Sequence, residues 1–189
     1  LAGIKAPTVE VQNAPPQVIV SNTPAILVPI DGAPVLKPVP GHDRSKRVIN
    51  TRALILQGGF TDAFYMHVYD GWLTSNDSSG PWTQAYPGPV MAKEMNAIAA
   101  ELSKSGTVDL LDGGPKANPK PSLANGVPKI CTSQVPTELI VFKGQPDFVP
   151  IVGTQLLWAS NTTSDVLINT ANNQYYVLLA GRWFTGPNM

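Results

Sequence analysis

Two stretches of the chain resemble each other and decide how its fold is interpreted: PQVIVSNTPAILVPIDG at residues 16–32 and TELIVFKGQPDFVPIVG at residues 137–153. With Gln17 aligned to Glu138 and no gap, the ranges 17–36 and 138–157 are identical at seven positions. In the first stretch these are Ile19, Val20, Val28, Pro29, Ile30, Gly32 and Leu36. Self-similarity at a fixed distance is typical of a repeated structural unit.

Two shorter blocks follow in the same order after both stretches. Residues 48–51 (VINT) match residues 167–170 (LINT), and residues 64–74 match residues 175–185. In the last pair of blocks a tyrosine, a tryptophan and a threonine recur at the same spacing. The sequence therefore predicts an internal duplication in which each copy ends with the Tyr-to-Trp block.

Each copy has the pattern of short β-strands. Residues 18–20 and 139–142 are apolar runs bounded by turn-forming residues. Pro29 and Pro150 end two further apolar runs, and proline cannot donate a hydrogen bond to a neighbouring strand. These prolines therefore indicate strand ends or sheet edges.

A hairpin is predicted at the end of each copy. Asp-Gly at 70–71 favours a two-residue turn of type I′, and Gly-Arg at 181–182 favours type II′. The first turn would place Tyr69 opposite Trp72. Two different turn chemistries would then produce the same hairpin.

A helix and a linker are predicted between the copies. Residues 90–104 are good helix formers, with four apolar side chains on one face: Met91, Met95, Ile98 and Leu102. Residues 113–128 are rich in proline and glycine and show no helix or strand period. We therefore expect a mainly β (α+β) fold, in which two related β-rich units with hairpins are joined by one helix and a Pro-rich linker.

The predicted domain boundaries follow from this pattern. The first β-rich repeat occupies residues 1–85, the helix and linker occupy 86–128, and the second repeat occupies 129–189. The chain starts with Leu1 and stops soon after its second hairpin. We therefore expect a processed form or one piece of a longer polypeptide.

Composition excludes several classes of function. Thirteen basic and 13 acidic residues give a net charge of zero, whereas nucleic-acid binding would favour a basic excess. No apolar run is long enough for a membrane span. A single cysteine, Cys131, and two histidines offer no pattern for a metal site, and no cofactor-binding motif occurs.

Aromatic side chains of the first hairpin are the strongest candidate site. Alternation along the strand places Tyr65, His67 and Tyr69 on one face, and the predicted turn adds Trp72 to it. Rings with polar tips can stack on sugar rings, so we expect a glycan platform there. The alternative is that this face is buried between the copies or beneath another segment.

The corresponding residues of the second copy are Tyr176 and Trp183. Their face also contains Leu178 and Ala180, so it is less aromatic and is expected to be buried.

Catalytic residues are not indicated. His42-Asp43 is interpreted as a solvated polar loop, and Cys131 as a small buried residue. Asp109 and Asp112 are interpreted as part of the loop after the helix. No nucleophile or phosphate-binding motif occurs, which favours binding over catalysis.

At these residues the chain resembles uncharacterised proteobacterial exported or envelope proteins, often labelled "carbohydrate-binding family V/XII". The runs that carry the resemblance lie at 135–141, 153–157 and 175–184. The resemblance implies export to the periplasm, outer envelope or exterior, and glycan contacts by Tyr176 and Trp183, with Tyr65 and Trp72 in the first copy. Those proteins are longer than this chain.

The leading hypothesis is a non-catalytic exported protein with a binding or assembly role, with polysaccharide as its ligand. A first alternative is a scaffold fragment that binds the C-terminal remainder of its polypeptide or another envelope protein. A second alternative is part of a hydrolase whose catalytic residues lie beyond Met189.

Overall fold

The computed structural model describes residues 14–58 and 62–188. Strands account for 42% and helices for 11%, which confirms the predicted mainly β class with one α-helix. The strands before the helix are β1 (Gln17–Ser21), β2 (Ala25–Pro29), β3 (Leu36–Val39), β4 (His42–Val48), β5 (Ile55–Gln57), β6 (Phe64–Val68), β7 (Gly71–Ser75) and β8 (Thr83–Gln84). Helix α1 (Pro89–Lys104) and one turn of 3-10 helix (Leu123–Asn125) follow. The later strands are β9 (Lys129–Ser133), β10 (Thr137–Val141), β11 (Phe148–Pro150), β12 (Leu156–Ala159), β13 (Val166–Asn169), β14 (Gln174–Leu179) and β15 (Arg182–Gly186).

Two antiparallel meanders form the larger sheets. The first sheet contains β3 to β8 in chain order, and the second contains β11 to β15 in chain order. The remaining strands form two parallel pairs, β1 with β10 and β2 with β9. Strands from the two predicted β-rich domains, 1–85 and 129–189, therefore pair with each other instead of forming wholly separate sheets.

The two halves have the same order of elements and the same strand registers. When Gln17 is aligned with Lys129, β1 matches β9 and β2 matches β10 over their full lengths. In the meanders, Leu36 faces Val48 as Phe148 faces Ala159. We name residues 17–75 the first unit and residues 129–186 the second unit. Because β1 pairs with β10 and β2 with β9, the first strand of each unit pairs with the second strand of the other.

The structure corrects the predicted alignment of the first half of each copy. Val28 was aligned with Val149, but Val28 is buried in β2 whereas Val149 is an exposed residue of β11. The structural correspondence continues from Gln17 and Lys129 to the turn after β3, where the first unit has one additional residue. It aligns seven identical residues: Ser21, Pro24, Leu27, Gly32, Pro34, Pro38 and Gly41 with Ser133, Pro136, Leu139, Gly144, Pro146, Pro150 and Gly153. The predicted match of 48–51 with 167–170 is wrong, because Val48 corresponds to Ala159. The match of 64–74 with 175–185 is kept.

An asparagine stabilises the same loop in each unit. Asn50 makes three hydrogen bonds to the loop at 31–35, donating to two carbonyls at 2.7 and 2.8 Å and accepting from one N–H at 2.9 Å. Asn161 makes the same three bonds to the loop at 143–147, at 3.2, 2.7 and 3.0 Å. The correspondence therefore extends from strand pairing to side-chain chemistry.

Asn50→Ala and Asn161→Ala are expected to destabilise the protein by similar amounts, about 1–3 kcal/mol each, because each removes the same three partners. Denaturant unfolding measures both, with Asn22→Ala as a control at an exposed position that makes one long side-chain bond. If Asn50→Ala lowered the free energy of unfolding and Asn161→Ala left it unchanged, the equivalence of the two loops would be contradicted.

Both hairpin turns lie one residue earlier than predicted. The turn residues are 69–70 in the first unit and 180–181 in the second. His67 therefore faces Trp72, and the predicted pairing of Tyr69 with Trp72 is wrong. In the second turn both residues have positive φ, 47° and 78°, which is the type I′ pattern.

Contacts with the linker explain the first turn. A Cβ added at Gly71 would lie 2.9 Å from Cδ1 of Leu123, so a larger residue there would require the Leu123 side chain to shift. The Asp70 carboxylate accepts hydrogen bonds from Ser122 Oγ at 2.6 Å and from the Leu123 N–H at 2.9 Å. The tertiary contacts of Asp70 and Gly71 therefore outweigh the turn preference of the dipeptide.

Each unit contributes a side chain to the core of the other. Val20 of β1 packs against the second core, which contains Ile140 and Phe142. Ile130 of β9 packs against a core of the first unit that contains Ile55 and Met66, and Leu123 of the predicted linker is also buried in this core. The pairing of β1 with β10 and of β2 with β9, which we call the strand exchange, therefore couples the hydrophobic cores of the two units.

Candidate binding face

The predicted aromatic platform of the first unit lies beneath helix α1. Trp72 is only 5% exposed, and its Nε1 donates a hydrogen bond to Asn96 Oδ1 at 2.9 Å. His67 Nδ1 lies 2.8 Å from the Leu110 carbonyl oxygen, and its ring meets Trp72 edge-on at 5.0 Å between centroids. Trp72 therefore offers no free surface to a sugar, and His67 is only partly exposed.

The other two predicted rings do not complete a platform. Tyr65 is half-buried and packs against the core that α1 forms with this sheet. Tyr69 lies in the turn, with φ of 57°, and packs against the opposite core of the sheet. The prediction of an exposed platform on the first hairpin is therefore wrong, and burial beneath another segment is what the structure shows.

Helix α1 covers this face because its apolar stripe matches the sheet. The predicted helix at 90–104 is confirmed, and Met95, Ile98 and Ala99 are its buried residues. Glu94 accepts a hydrogen bond from Ser45 Oγ at 3.1 Å, which holds the helix against β4. The helix thus combines apolar burial with polar contacts to the sheet.

Burial sets the protonation of His67. Loss of hydration lowers the pKa of its imidazole, while the Leu110 carbonyl, Asp112 and Asp70 act in the opposite direction. A neutral ring is therefore favoured beside Trp72.

We expect the free energy of unfolding to decrease as pH falls through the unfolded histidine value of about 6.5. The pKa of His67 is lower in the folded state, so the unfolded chain binds more protons in that range. Chemical unfolding at a series of pH values on both sides of neutrality should show a weaker pH dependence for His67→Gln than for the natural chain. Equal dependence in both proteins would contradict this account.

The matching face of the second unit has the same construction. A row of leucine, tyrosine and threonine crosses both sheets: Leu56, Tyr65 and Thr74 in the first, Leu167, Tyr176 and Thr185 in the second. Beside this row, each sheet has the same backbone hydrogen bond. The His67 N–H donates to the Leu54 carbonyl at 3.0 Å in the first sheet, and the Leu178 N–H donates to the Asp165 carbonyl at 3.0 Å in the second. Trp183 therefore occupies the position in the second sheet that Trp72 occupies in the first.

We name this surface of the second sheet the outer face. Its side chains are Val149, Trp158, Leu167, Tyr176, Leu178, Trp183 and Thr185. Trp183 is 51% exposed and Trp158 is 43% exposed, while Tyr176 is half-buried. The only α-helix in the described residues is α1, which packs on the first unit. The prediction that this face is buried is therefore wrong.

The second unit forms its core with the opposite face of the sheet. Ala159 and Val166 are buried there, together with Phe148 and Val177, against strand β10. The outer face is therefore not needed for this core.

A groove of about 400 Å³ lies between Trp158 and Trp183. Leu167 forms part of its lining, and a polar rim is supplied by Thr162, Thr163, Ser164 and Asp165. Two indole rings facing a polar rim can bind flat apolar surfaces that also carry hydrogen-bonding groups. The sequence prediction missed Trp158. In the structure Trp158 pairs with Leu167 as Arg47 pairs with Leu56 in the first unit. An alignment of Trp158 with Arg47 would therefore have placed it on the outer face.

The remaining candidates have structural explanations. Cys131 is buried, as expected. His42 and Asp43 lie in strand β4 and not in the predicted loop, and His42 contacts Glu101 of α1 at 3.6 Å. Asp112 forms a 2.6 Å ion pair with Lys120. Within residues 14–58 and 62–188 no cluster of three or more potential metal ligands is found. No helix in those ranges is long and apolar enough to cross a membrane.

Comparison of the chain with protein-family models, with curated proteins and with solved structures found no match.

Proposed function

We propose that the protein is a non-catalytic module of an exported bacterial envelope protein and that it acts in binding or assembly through the outer face. The difference between the two matched faces carries this proposal. The face around Trp72 is buried beneath α1, whereas the outer face around Trp183 is open. Contiguous exposed apolar surface rimmed by polar residues is typical of an interaction site.

The two tryptophans would supply much of the binding free energy. A tryptophan buries about 150–250 Å² when fully covered. Trp158 and Trp183 still expose 43% and 51% of their surface. Removing that surface from water is worth about 1.6–3.2 kcal/mol per ring at about 25 cal/mol per Å², before the cost of association is subtracted. Such rings commonly act as hot spots at the centre of an interface.

The resemblance to exported proteins and the composition support the cellular setting of this proposal. Charged residues make up 14% of the chain, and the net charge is zero. The partner is then a further part of the same polypeptide or another protein of the periplasm, outer envelope or exterior.

Photo-crosslinking in cells that produce the protein tests this proposal. A photoreactive amino acid at position 183 is expected to give one predominant adduct, identified by mass spectrometry. Position 152, which is 97% exposed in a turn of the same unit, serves as the matched control. Identical products from both positions, or no adduct from position 183, would contradict the proposal.

Glycan binding is a second candidate function, favoured by the groove between Trp158 and Trp183. Indole rings can stack on pyranose rings, while the hydroxyl and carboxylate groups of residues 162–165 can bind sugar hydroxyls. Retention on insoluble chitin or peptidoglycan should fall about tenfold in Trp183→Ala if that ring is a hot spot. Tyr86→Ala, at an exposed position outside the second unit, is the control. Unchanged retention in Trp183→Ala would exclude this groove as the glycan site.

A further inference from the structure

Among the residues that the structure describes, no strand pairs with the outer edge of the second hairpin, and no helix covers its outer face. In the first unit, β8 pairs with the outer edge of β7, and the Ala85 N–H donates to the Trp72 carbonyl at 2.8 Å. In the second unit, β15 is the outermost strand of the described sheet. Its turn directs the N–H and C=O groups of Trp183 and Thr185 away from β14.

The other outermost strands are poor partners for strand addition. Pro38 in β3 and Pro150 in β11 cannot donate hydrogen bonds, and β8 has only two residues. Strand β15 (Arg182–Gly186) contains no proline. It is therefore the outermost strand of these two sheets best suited to pair with a further strand.

The same structure shows how a segment can cover both features at once. In the first unit, β8 pairs with the hairpin edge, and α1 then turns back across the hairpin face. The helix places an amide oxygen of Asn96 against the Trp72 indole N–H and an apolar stripe over the sheet. The matching position in the second unit holds Trp183.

We propose that the outer face binds a short β-strand followed by an amphipathic helix, with an amide side chain facing the Trp183 indole N–H. The strand would pair with the edge of β15, and the apolar face of the helix would cover Tyr176, Leu178 and Trp183. Asp165 lies on the rim where the first unit has Leu54, so a basic or neutral helix residue fits there better than an acidic one. This inference rests on the proposed function and specifies the partner's structure.

A chain carrying its own strand–helix segment a second time tests the inference. Gly186 corresponds to Ser75, so residues 187–189 are replaced by a second copy of residues 76–112. Hydrogen exchange of the indole N–H groups is followed by NMR, with Trp183→Phe assigning the signal. Exchange at Trp183 is expected to slow at least about tenfold, because docking must open before exchange occurs. The unchanged indole signal of Trp72 shows that the first unit remains folded.

Two variants of the added copy separate the parts of the interaction. Ile98→Asp in that copy places a charge in the apolar stripe and should restore fast exchange at Trp183. Asn96→Leu in that copy should restore only part of the exchange rate, because the apolar contacts remain. Unchanged exchange at Trp183 in the extended chain, with Trp72 still protected, would overturn the inference.

The two proposals can fail independently. A partner cross-linked at position 183, together with no docking of the added segment, would overturn the strand–helix inference and leave the proposed function standing. Docking of the added segment with no partner found in cells would show that the outer face can hold a strand and a helix, but it would contradict the proposed function on which the inference rests.

Discussion

Trp72→Ala is expected to lower the free energy of unfolding by about 3–5 kcal/mol, whereas Trp183→Ala should lower it by less than about 1 kcal/mol. Trp72 is buried beneath α1, and its removal leaves a cavity and an Asn96 side chain without its partner. Trp183 occupies the matching place in its sheet, but half of its surface is in water.

Equilibrium unfolding in urea measures both variants, and Trp72→Phe serves as a third comparison. That replacement keeps most of the ring volume and removes the hydrogen bond to Asn96, so it should cost less than Trp72→Ala. Equal losses in Trp72→Ala and Trp183→Ala would show that the outer face is also covered in the isolated chain. The proposed binding surface would then not exist.

Phe142→Ala is expected to lower the free energy of unfolding by about 3–5 kcal/mol. Phe142 is 1% exposed and lies in the second core beside Ile140, against which Val20 of the first unit packs. Since β1 pairs with β10 and β2 with β9, we expect both units to unfold in one transition.

During unfolding, the NMR signal of the Trp72 indole N–H reports on the first unit, and circular dichroism reports on the whole chain. Both should shift to the same lower midpoint in Phe142→Ala. Val152→Ala, at an exposed turn, should leave the midpoint within the error of the natural chain. Loss of the second unit while Trp72 stays protected would contradict the coupling of the two cores.

Local sequence patterns predicted the elements of this fold but not all of their partners. The helix at 90–104, the strand that contains Tyr65 and His67, and the mainly β class follow from apolar periodicity and turn residues, which act within a few positions. The strand exchange depends on contacts between residues in opposite halves of the chain, such as Gln17 with Thr137. Periodicity contains no information about such contacts.

Two errors in the sequence interpretation have identifiable causes. The alignment of Val28 with Val149 matched a Val-Pro-Ile motif, whereas the structure aligns Gly32 and Gly41 with Gly144 and Gly153, loop glycines that all have positive φ. The first hairpin turn was placed by dipeptide preference, whereas the structure holds Asp70 by hydrogen bonds from Ser122 and Leu123 and places Gly71 close to the Leu123 side chain. Backbone conformation and close approach were therefore better guides than local motifs.

The exposed platform was predicted on the first hairpin for a related reason. Alternation along β6 correctly placed Tyr65 and His67 on one face. Whether that face is open depends on α1, which lies beyond the hairpin in the chain and covers only the first unit. Composition favoured the more aromatic face as the binding site, but exposure favours the face with Trp158 and Trp183.

Hydroxyl-radical footprinting in cells and on the purified chain tests most directly whether the outer face is a binding surface. Oxidation of Trp158 and Trp183 should be several-fold lower in cells than in the purified chain, because a bound partner excludes solvent from both rings. Tyr86, which is 84% exposed in the first half of the chain, provides the internal reference and should be oxidised equally in both samples. Equal oxidation of Trp183 in cells and in the purified chain, relative to Tyr86, would contradict the account.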